Sequence, residues 1–322
     1  MPRFYQQLTY PQRCQIAILK ERGDSPAKIA KLLGRSKSTI TRELQRNTEK
    51  NHYHMQQADT KAKQRRCRTP TKMTPILVKM IEAKLALQWS PEQISGRLKL
   101  EGINISHTTI YKHIWQDKKN GGFLYKQLRH RGKKYNKKGK NTAGRGCIPN
   151  RKDIDLRPSI VNEKSRVGDW ELDTIIGSNH NGVIVSMVDR YSKLTKLIKV
   201  ADKTAEAVSA GLIEKLGVIS NFVLTLTADN GKEFAQHVNV ANTLGAEFFF
   251  AKPYHSWERG LNEHTNGLVR QYLPKGTEFS DVSQEEIETI EMLLNERPRK
   301  VLKFQTPQES FDQWIKSSIG AI

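Results

Sequence analysis

The sequence predicts a multidomain chain, with all-α modules in front and an α/β layered domain behind. Three observations carry this reading. The 322 residues make two or three domains at roughly 100–200 residues each. Up to about residue 120, apolar residues recur in short helical periods separated by cap and turn residues. From about Arg166 the segments WELDTII, GVIVSMVD, KLTKLIKV and FVLTLTA are instead short, β-branched and strand-like. The charge divides at the same place. Residues 1–165 hold 37 Lys/Arg against 12 Asp/Glu, a net of +25, and residues 166–322 hold 17 against 21, a net of −4.

Several classes are excluded at this level. Apolar runs such as Ala246–Ala251 fall far short of the ~20 residues of a membrane-spanning helix. No signal-peptide core follows Met1, so the chain is expected in a reducing cytoplasm. Cys14, Cys67 and Cys147 are odd in number and show no CxxC spacing, which speaks against a disulfide framework or a zinc site. A front half at +25 calls for a polyanion, and nucleic acid is the expected partner.

The elements of the front half follow in order. In SPAKIAKLLGRSKSTITRELQR, Ser25 is the N-cap and Pro26 the first helical residue. Ile29, Ala30, Leu32 and Leu33 supply the packing face, and Gly34 ends the helix in a left-handed turn. Ser36 caps a second helix over Lys37–Arg46 with Ile40 and Leu44 inward. Its outward face carries Lys37, Ser38, Thr41, Arg42 and Arg46. This is a helix-turn-helix whose second helix suits a major groove. The pattern recurs in SPEQISGRLKLEGINISHTTIYKHIW. Ser90, Pro91 and Glu92 open one helix, Ile94 and Leu98 pack, Gly102 turns, and Ser106 opens a second helix packed through Ile110 and Ile114. His107, Thr109, Lys112 and His113 are left outside, and Thr109 and Lys112 are the expected DNA contacts. The run RHRGKKYNKKGK and the residues after it lack an apolar period and read as a basic linker. The expected boundaries are therefore helix-turn-helix 1–60, a second helix-turn-helix 61–128, linker 129–165, and an α/β domain 166–322. Within the last, helices are expected at Thr204–Leu216, Glu233–Leu244, Leu261–Leu273 and Gln284–Asn295.

Carboxylates mark the chemistry. Asp173 lies in a strand, Asp229 in the turn TADNGKEF just past another, and Glu263 on a helix, with 55 and 33 residues between them. Oxygen ligands suit Mg²⁺ or Mn²⁺, and two such ions about 3.5–4 Å apart support phosphodiester displacement. On a helix advancing about 100° per residue, Glu263, Asn266 and Arg270 share one face, and Thr265, Leu268 and Tyr272 the other. In the first strand Asp169, Glu171 and Asp173 share a face by alternation, so parity alone does not select one.

WELDT, TADNGKEF, NEHTNGLVRQYLPKG, LNERPRK and TPQESF, together with LLGRSKSTITRELQRN near the start, resemble the IS-thirty (IS30) family of bacterial insertion-sequence transposases. The resemblance runs from about Leu8 to Phe311. It implies an RNase H-like, integrase-type catalytic core with Asp173, Asp229 and Glu263 as catalytic metal ligands for two Mg²⁺ (or Mn²⁺). It also implies the pattern Glu263, Asn266, Arg270, and Asn266 and Arg270 join the expected DNA contacts, as does Lys232 by its position three after Asp229. The implied activity is metal-dependent cleavage at the ends of the element and strand transfer into a target. The implied partners are double-stranded DNA at terminal inverted repeats and target, and further copies of the chain in a synaptic complex. No GxxxxGK[ST] occurs, so no ATP site is expected. Tyr191 and Tyr254 lack the Arg/His surroundings of a recombinase nucleophile. His255 is a candidate for orienting a phosphate, and Trp257 for packing. The alternatives are a DNA-binding regulator whose acidic half only dimerises, and a structure-specific nuclease that cuts without joining.

Overall fold

The computed structural model describes residues 7–49, 52–67, 73–129, 148–180, 182–252, 255 and 260–319. Cys147, Tyr254, Trp257, Glu258 and the basic run 130–147 lie outside these. The chain divides into two compact units, Met1–Thr74 and Pro75–Ile322.

The first unit is helical. It comprises α1 (Tyr10–Glu21), α2 (Pro26–Leu32), α3 (Lys37–Asn47), a short ribbon of β1 (Thr48–Glu49) with β2 (His52–Tyr53), and α4 (Met55–Cys67). Thr9 and Gln12 form a capping box on α1, and Ser25 and Ser36 cap α2 and α3. Gly34 has φ +60°, the left-handed turn that ends α2 without a Cβ clash. Ile16, Ile29 and Ile40 meet in the core. Leu32, expected to pack, is 58% exposed, because α2 turns only Ile29 and Ala30 fully inward. The expected boundary at residue 60 falls inside α4, which packs on α1 and α3.

The second unit begins with α5 (Pro75–Ala86), α6 (Pro91–Leu100) and α7 (His107–Lys119). Ser90 and Gln93 form a capping box and Ser106 caps α7. Gly102 takes φ +82° in the turn between them. After the basic run come α8 (Ile160–Glu163), β3 (Asp169–Ile176), β4 (Val183–Asp189), β5 (Thr195–Val200), α9 (Ala205–Gly217), β6 (Thr225–Ala228), α10 (His237–Leu244), β7 (Glu247–Phe250), α11 (Gly260–Tyr272), α12 (Gln284–Asn295) and α13 (Pro307–Ile319). The helix expected from Glu233 is split: Lys232–Phe234 forms a 3₁₀ turn and α10 starts at His237.

The sheet order is β5-β4-β3-β6-β7. β3, β4 and β5 are antiparallel neighbours, and β6 and β7 continue parallel to β3. This is the RNase H-like arrangement. One face packs Trp170, Leu172 and Met187 with Leu212 and Phe248. The other packs Ile175, Ile184 and Leu197 with Leu268, Val269, Ile287 and Leu294. Edge strand β5 is covered by α12: Glu291 accepts from Leu197 N at 2.7 Å, and Asn295 both accepts from Thr195 N and donates to Thr195 O at 2.8 Å. Such cover satisfies groups that an open edge offers to other chains.

Two expectations change. The linker does not extend through 148–165. Ile148 and Val161 are buried, Phe250 N donates to Lys152 O at 2.9 Å, and Arg157 donates to Thr227 Oγ1 at 2.9 Å. These residues belong to the α/β layer. The second helical module is likewise part of the same compact unit as the α/β layer. Arg97 grips Glu309 with two bonds of 2.8 and 2.7 Å. Gln93 donates to Pro298 O at 2.8 Å, and Arg297 donates to both Gln93 and the Gln88 carbonyl. A Cβ at Gly96 would meet the Phe304 ring at 2.3 Å, so glycine is required where the two layers touch.

Candidate active site and nucleic-acid interface

Each acid is positioned by a different element. Asp173 stands in β3 opposite Ser186 of β4. The parallel register sets Asp169 beside Thr225, Trp170 beside Leu226 and Glu171 beside Thr227. Two residues further along stand Asp173, still within β3, and Asp229, just past the end of β6. Asp229 turns back on its own loop and accepts from Gly231 N at 2.9 Å. Asn230 anchors that loop, donating to Ala251 O at 2.7 Å and accepting from Arg151.

Glu263 lies in the first turn of α11 and is exposed. One turn on, Asn266 donates from Nδ2 to Asp173 Oδ2 at 2.7 Å and accepts from Ser186 Oγ at 2.8 Å. The helix that carries Glu263 is thereby fastened to the strand that carries Asp173. The expected division of α11 into two faces holds only in part: Thr265 and Leu268 are buried, with Asn262 and Val269, but Tyr272 is half-buried and Asn266 and Arg270 also bond to the sheet.

The structure separates the three acids of β3 that alternation leaves equivalent. Asp169 is fully buried and accepts from Arg166 and from Thr225 Oγ1 at 2.8 Å. Glu171 is buried, with Oε1 on Arg190 and Oε2 receiving Asn262 N at 3.4 Å. Asp173 is only half-buried and is held by the Asn266 amide and the Thr174 N–H.

Two expected DNA contacts have other occupations. Asn266 is spent on Asp173 and Ser186. Arg270 donates to Ile176 O at 2.6 Å and lies over the Phe279 ring, which ties α11 to the end of β3. Lys232 is exposed beside the Asp229 loop. Glu233, which the spacing of acids does not single out, is buried and accepts from Thr174 Oγ1 at 2.9 Å and Lys203 Nζ at 2.8 Å. A Cβ at Gly231 would fall 2.3 Å from its carboxylate, so the glycine of the turn makes room for it.

The donor chemistry, carboxylate oxygens on adjoining elements, is that of a hard divalent cation. Among the described residues, however, no three His, Cys, Asp or Glu side chains are gathered closely enough to hold a metal ion.

On the nucleic-acid side, Lys37, Ser38, Arg42 and Arg46 line α3 with Thr41, none of them buried. The opposite side of α3 is locked: Arg13 bonds Glu43 at 2.9 Å and Asp59 at 3.0 Å, and Tyr53 bonds Glu43 at 3.0 Å. On α7, His107 and Lys112 are exposed and Thr109 is half-buried, its hydroxyl 2.9 Å from Ser106 Oγ. His113, expected outside, is instead paired with Glu82 of α5 at 2.9 Å. Tyr111 and Trp115 are 36% and 40% exposed on the same helix. No helix among the described residues is long and apolar enough to cross a membrane.

A helix-turn-helix DNA-binding module in front of an RNase H-like α/β domain defines the class. The family "Helix-turn-helix domain" matches residues 5–47, the span of α1 to α3. The "Transposase for insertion sequence element IS4351" of Bacteroides fragilis is 47% identical, over 97% of this chain and 97% of that protein. The "Transposase for insertion sequence element IS1086" of Cupriavidus metallidurans is 37% identical, over 96% and 95%. The "Transposase InsI for insertion sequence element IS30A" of Escherichia coli is 35% identical, over 89% and 78%. The chain belongs to the IS30 family of insertion-sequence transposases.

Proposed function

We propose that the chain binds the ends of its insertion sequence and performs DNA strand cleavage and strand transfer, with Asp173, Asp229 and Glu263 as the catalytic acids. The supporting observation is the Asn266–Asp173 bond, which fixes the Glu263 helix against β3, the strand that neighbours β6 and the Asp229 turn. The acids would hold Mg²⁺ or Mn²⁺, two ions per site. Bound, the ions lower the charge barrier to attack on a phosphodiester. Asn266 and Ser186 orient Asp173, Glu233 and Asn230 brace the Asp229 loop, and Lys232 receives a backbone phosphate. In the first reaction water attacks phosphorus and the 3′ oxygen leaves as a hydroxyl. In the second that hydroxyl attacks a target phosphodiester and displaces its 3′ oxygen, so no protein nucleophile is consumed.

DNA is read by α3 of the first unit through Lys37, Ser38, Thr41, Arg42 and Arg46, and by α7 of the second through Thr109 and Lys112. Terminal inverted repeats and target are the DNA partners, and several copies of the chain act together in a synaptic complex. Because α5–α7 are fastened to the α/β layer through Arg97 and Arg297, DNA held on α7 has a fixed relation to the candidate site. The test is full-length protein with Mg²⁺ and DNA carrying the flanks of its own gene. Joined ends support the reading. Nicks without joining indicate a nuclease. Binding without divalent-dependent nicking indicates a regulator.

A further inference from the structure

A cavity of about 520 Å³ lies beside the candidate site, walled in part by Glu171, Arg190, Lys193, His264 and Arg299. Gly260, Leu261 and Thr265 also line it. At about 100° per residue Leu261 and Thr265 fall on the side of α11 away from Glu263. Neither the acids nor the expected DNA contacts use this cavity.

Its charge is unbalanced. Lys164, Arg190, Lys193 and Arg299 all face it, and Glu171 is the one carboxylate among the described lining residues. Glu171 is already committed to Arg190. Arg299 is 7% exposed; its Nη2 donates to Leu294 O at 2.9 Å, and its Nε has no hydrogen-bond partner among the described residues. Lys193 donates to the Arg190 carbonyl. Asp189, the nearby carboxylate, is buried and occupied by Gly168 N and Ser192. Burial and the neighbouring Lys164 pull Lys193 down to about 8, which still leaves it mostly charged at neutral pH. Arg297 and Arg129 add further positive potential around Arg299. Burying cations without counter-charge is costly. A ligand that returns the balance must be an anion with several acceptor oxygens, small enough to enter and able to meet an arginine and lysines together. A tetrahedral phosphate answers that description.

We propose that this cavity is a phosphate-binding site, which takes a backbone phosphate of a DNA strand or free phosphate. It requires no divalent ion, so its failure and that of the strand-transfer reading are distinguishable.

The test uses the full chain without divalent ions and titrates inorganic phosphate by calorimetry, with ionic strength held constant by chloride. Saturable binding at one site per chain is expected. Lys193→Gln and Arg299→Gln should each weaken it by about tenfold or more, the worth of a charge-assisted hydrogen bond. Lys316→Gln, an equal loss of charge at an exposed position of α13, should leave it unchanged. If Arg299→Gln fails to fold, Lys164→Gln at an exposed position takes its place. No phosphate binding by the parent chain, or undiminished binding by the Lys193 and Lys164 variants, overturns the proposal. A second arm adds a single-stranded oligonucleotide and its uncharged methylphosphonate counterpart. Displacement of phosphate by the first alone identifies a strand phosphate as the ligand. Binding of the oligonucleotide beside retained phosphate identifies free phosphate and overturns the strand source.

Discussion

Asn266 Nδ2 stands 2.7 Å from Asp173 Oδ2, and the Ser186 hydroxyl closes the chain at 2.8 Å from Asn266 Oδ1. A carboxylate oxygen held in this way has one orientation to offer a cation. Asn266→Ala should lower strand cleavage by about 10–100-fold, the usual cost of losing an outer partner of a ligand. It should also raise the Mg²⁺ concentration needed for half-maximal rate, with DNA binding unchanged. Equal rates at every Mg²⁺ concentration would show that Asn266 only packs α11.

The acids themselves divide by environment. Asp173→Asn, Asp229→Asn and Glu263→Gln should each abolish cleavage and joining while leaving DNA binding intact. Asp169→Asn should act on stability instead. It weakens a buried contact to Arg166 and keeps one to Thr225, a loss of about 1–2 kcal/mol readable in denaturant unfolding, with cleavage retained. A dead Asp169→Asn beside an active Asp173→Asn would reverse the assignment.

Much of this is legible in the sequence, for local reasons. Ser25, Ser36, Ser90 and Ser106 cap the helices expected of them, and Gly34 and Gly102 take the left-handed turns. The strand segments from Trp170 to Ala228 contain β3 to β6, with ends shifted by a few residues. The remainder depends on long-range contacts. Nothing local says that Arg297 will reach Gln93 or that Phe304 will sit on Gly96. Periodicity therefore separates the second helical module from the α/β layer to which it is bonded. The linker reads too long because its basic residues mask the buried Ile148, Arg157 and Val161. Asn266 and Arg270 read as DNA contacts because a polar helix face looks the same whether it meets phosphate or protein. Glu233 gives no local signal because its role is set by Thr174 and Lys203, far away in the chain.

Behind α3, Arg13 joins Glu43, Asp59 and the Leu8 carbonyl, all within 3.0 Å. Removing one partner of a buried pair leaves the other uncompensated, at about 3–5 kcal/mol. Arg13→Ala should therefore cost that much in the unfolding of the first unit and weaken DNA binding with it. An unchanged denaturation midpoint would mean that water replaces the guanidinium without loss.

Lys193 gives the chain a pH signature. Its folded value is about 8 against an ordinary 10.5. Between those values the folded state has released the proton and the unfolded state still holds it, so stability rises with pH across this window. Below pH 8 both states are protonated and the full cost of the buried charge is present. Lys193→Met should raise stability at pH 7 and flatten the rise between pH 8 and 10.5. Denaturant midpoints taken across that range decide it; a parallel rise in the variant would assign the effect to another group.

The last prediction concerns how α3 meets DNA. Ile40, Glu43 and Asn47 are buried on one side, so Arg42, on the other, can be changed without disturbing the helix. The charge of the front half argues that phosphate contacts supply most of the affinity. If about eight are made, log K should fall against log salt with a slope near −7. Arg42→Ala then separates two roles. If Arg42 reads a base, its removal costs about 1–3 kcal/mol and relaxes preference at one position, with the salt slope little changed. If Arg42 holds a phosphate, its removal weakens all sequences alike and makes the slope shallower by about 1. Titrating the full chain and the Arg42 variant on specific and scrambled duplexes at three salt concentrations distinguishes these. Identical curves for both proteins on both duplexes would remove α3 from the interface and leave α7 as the reading helix.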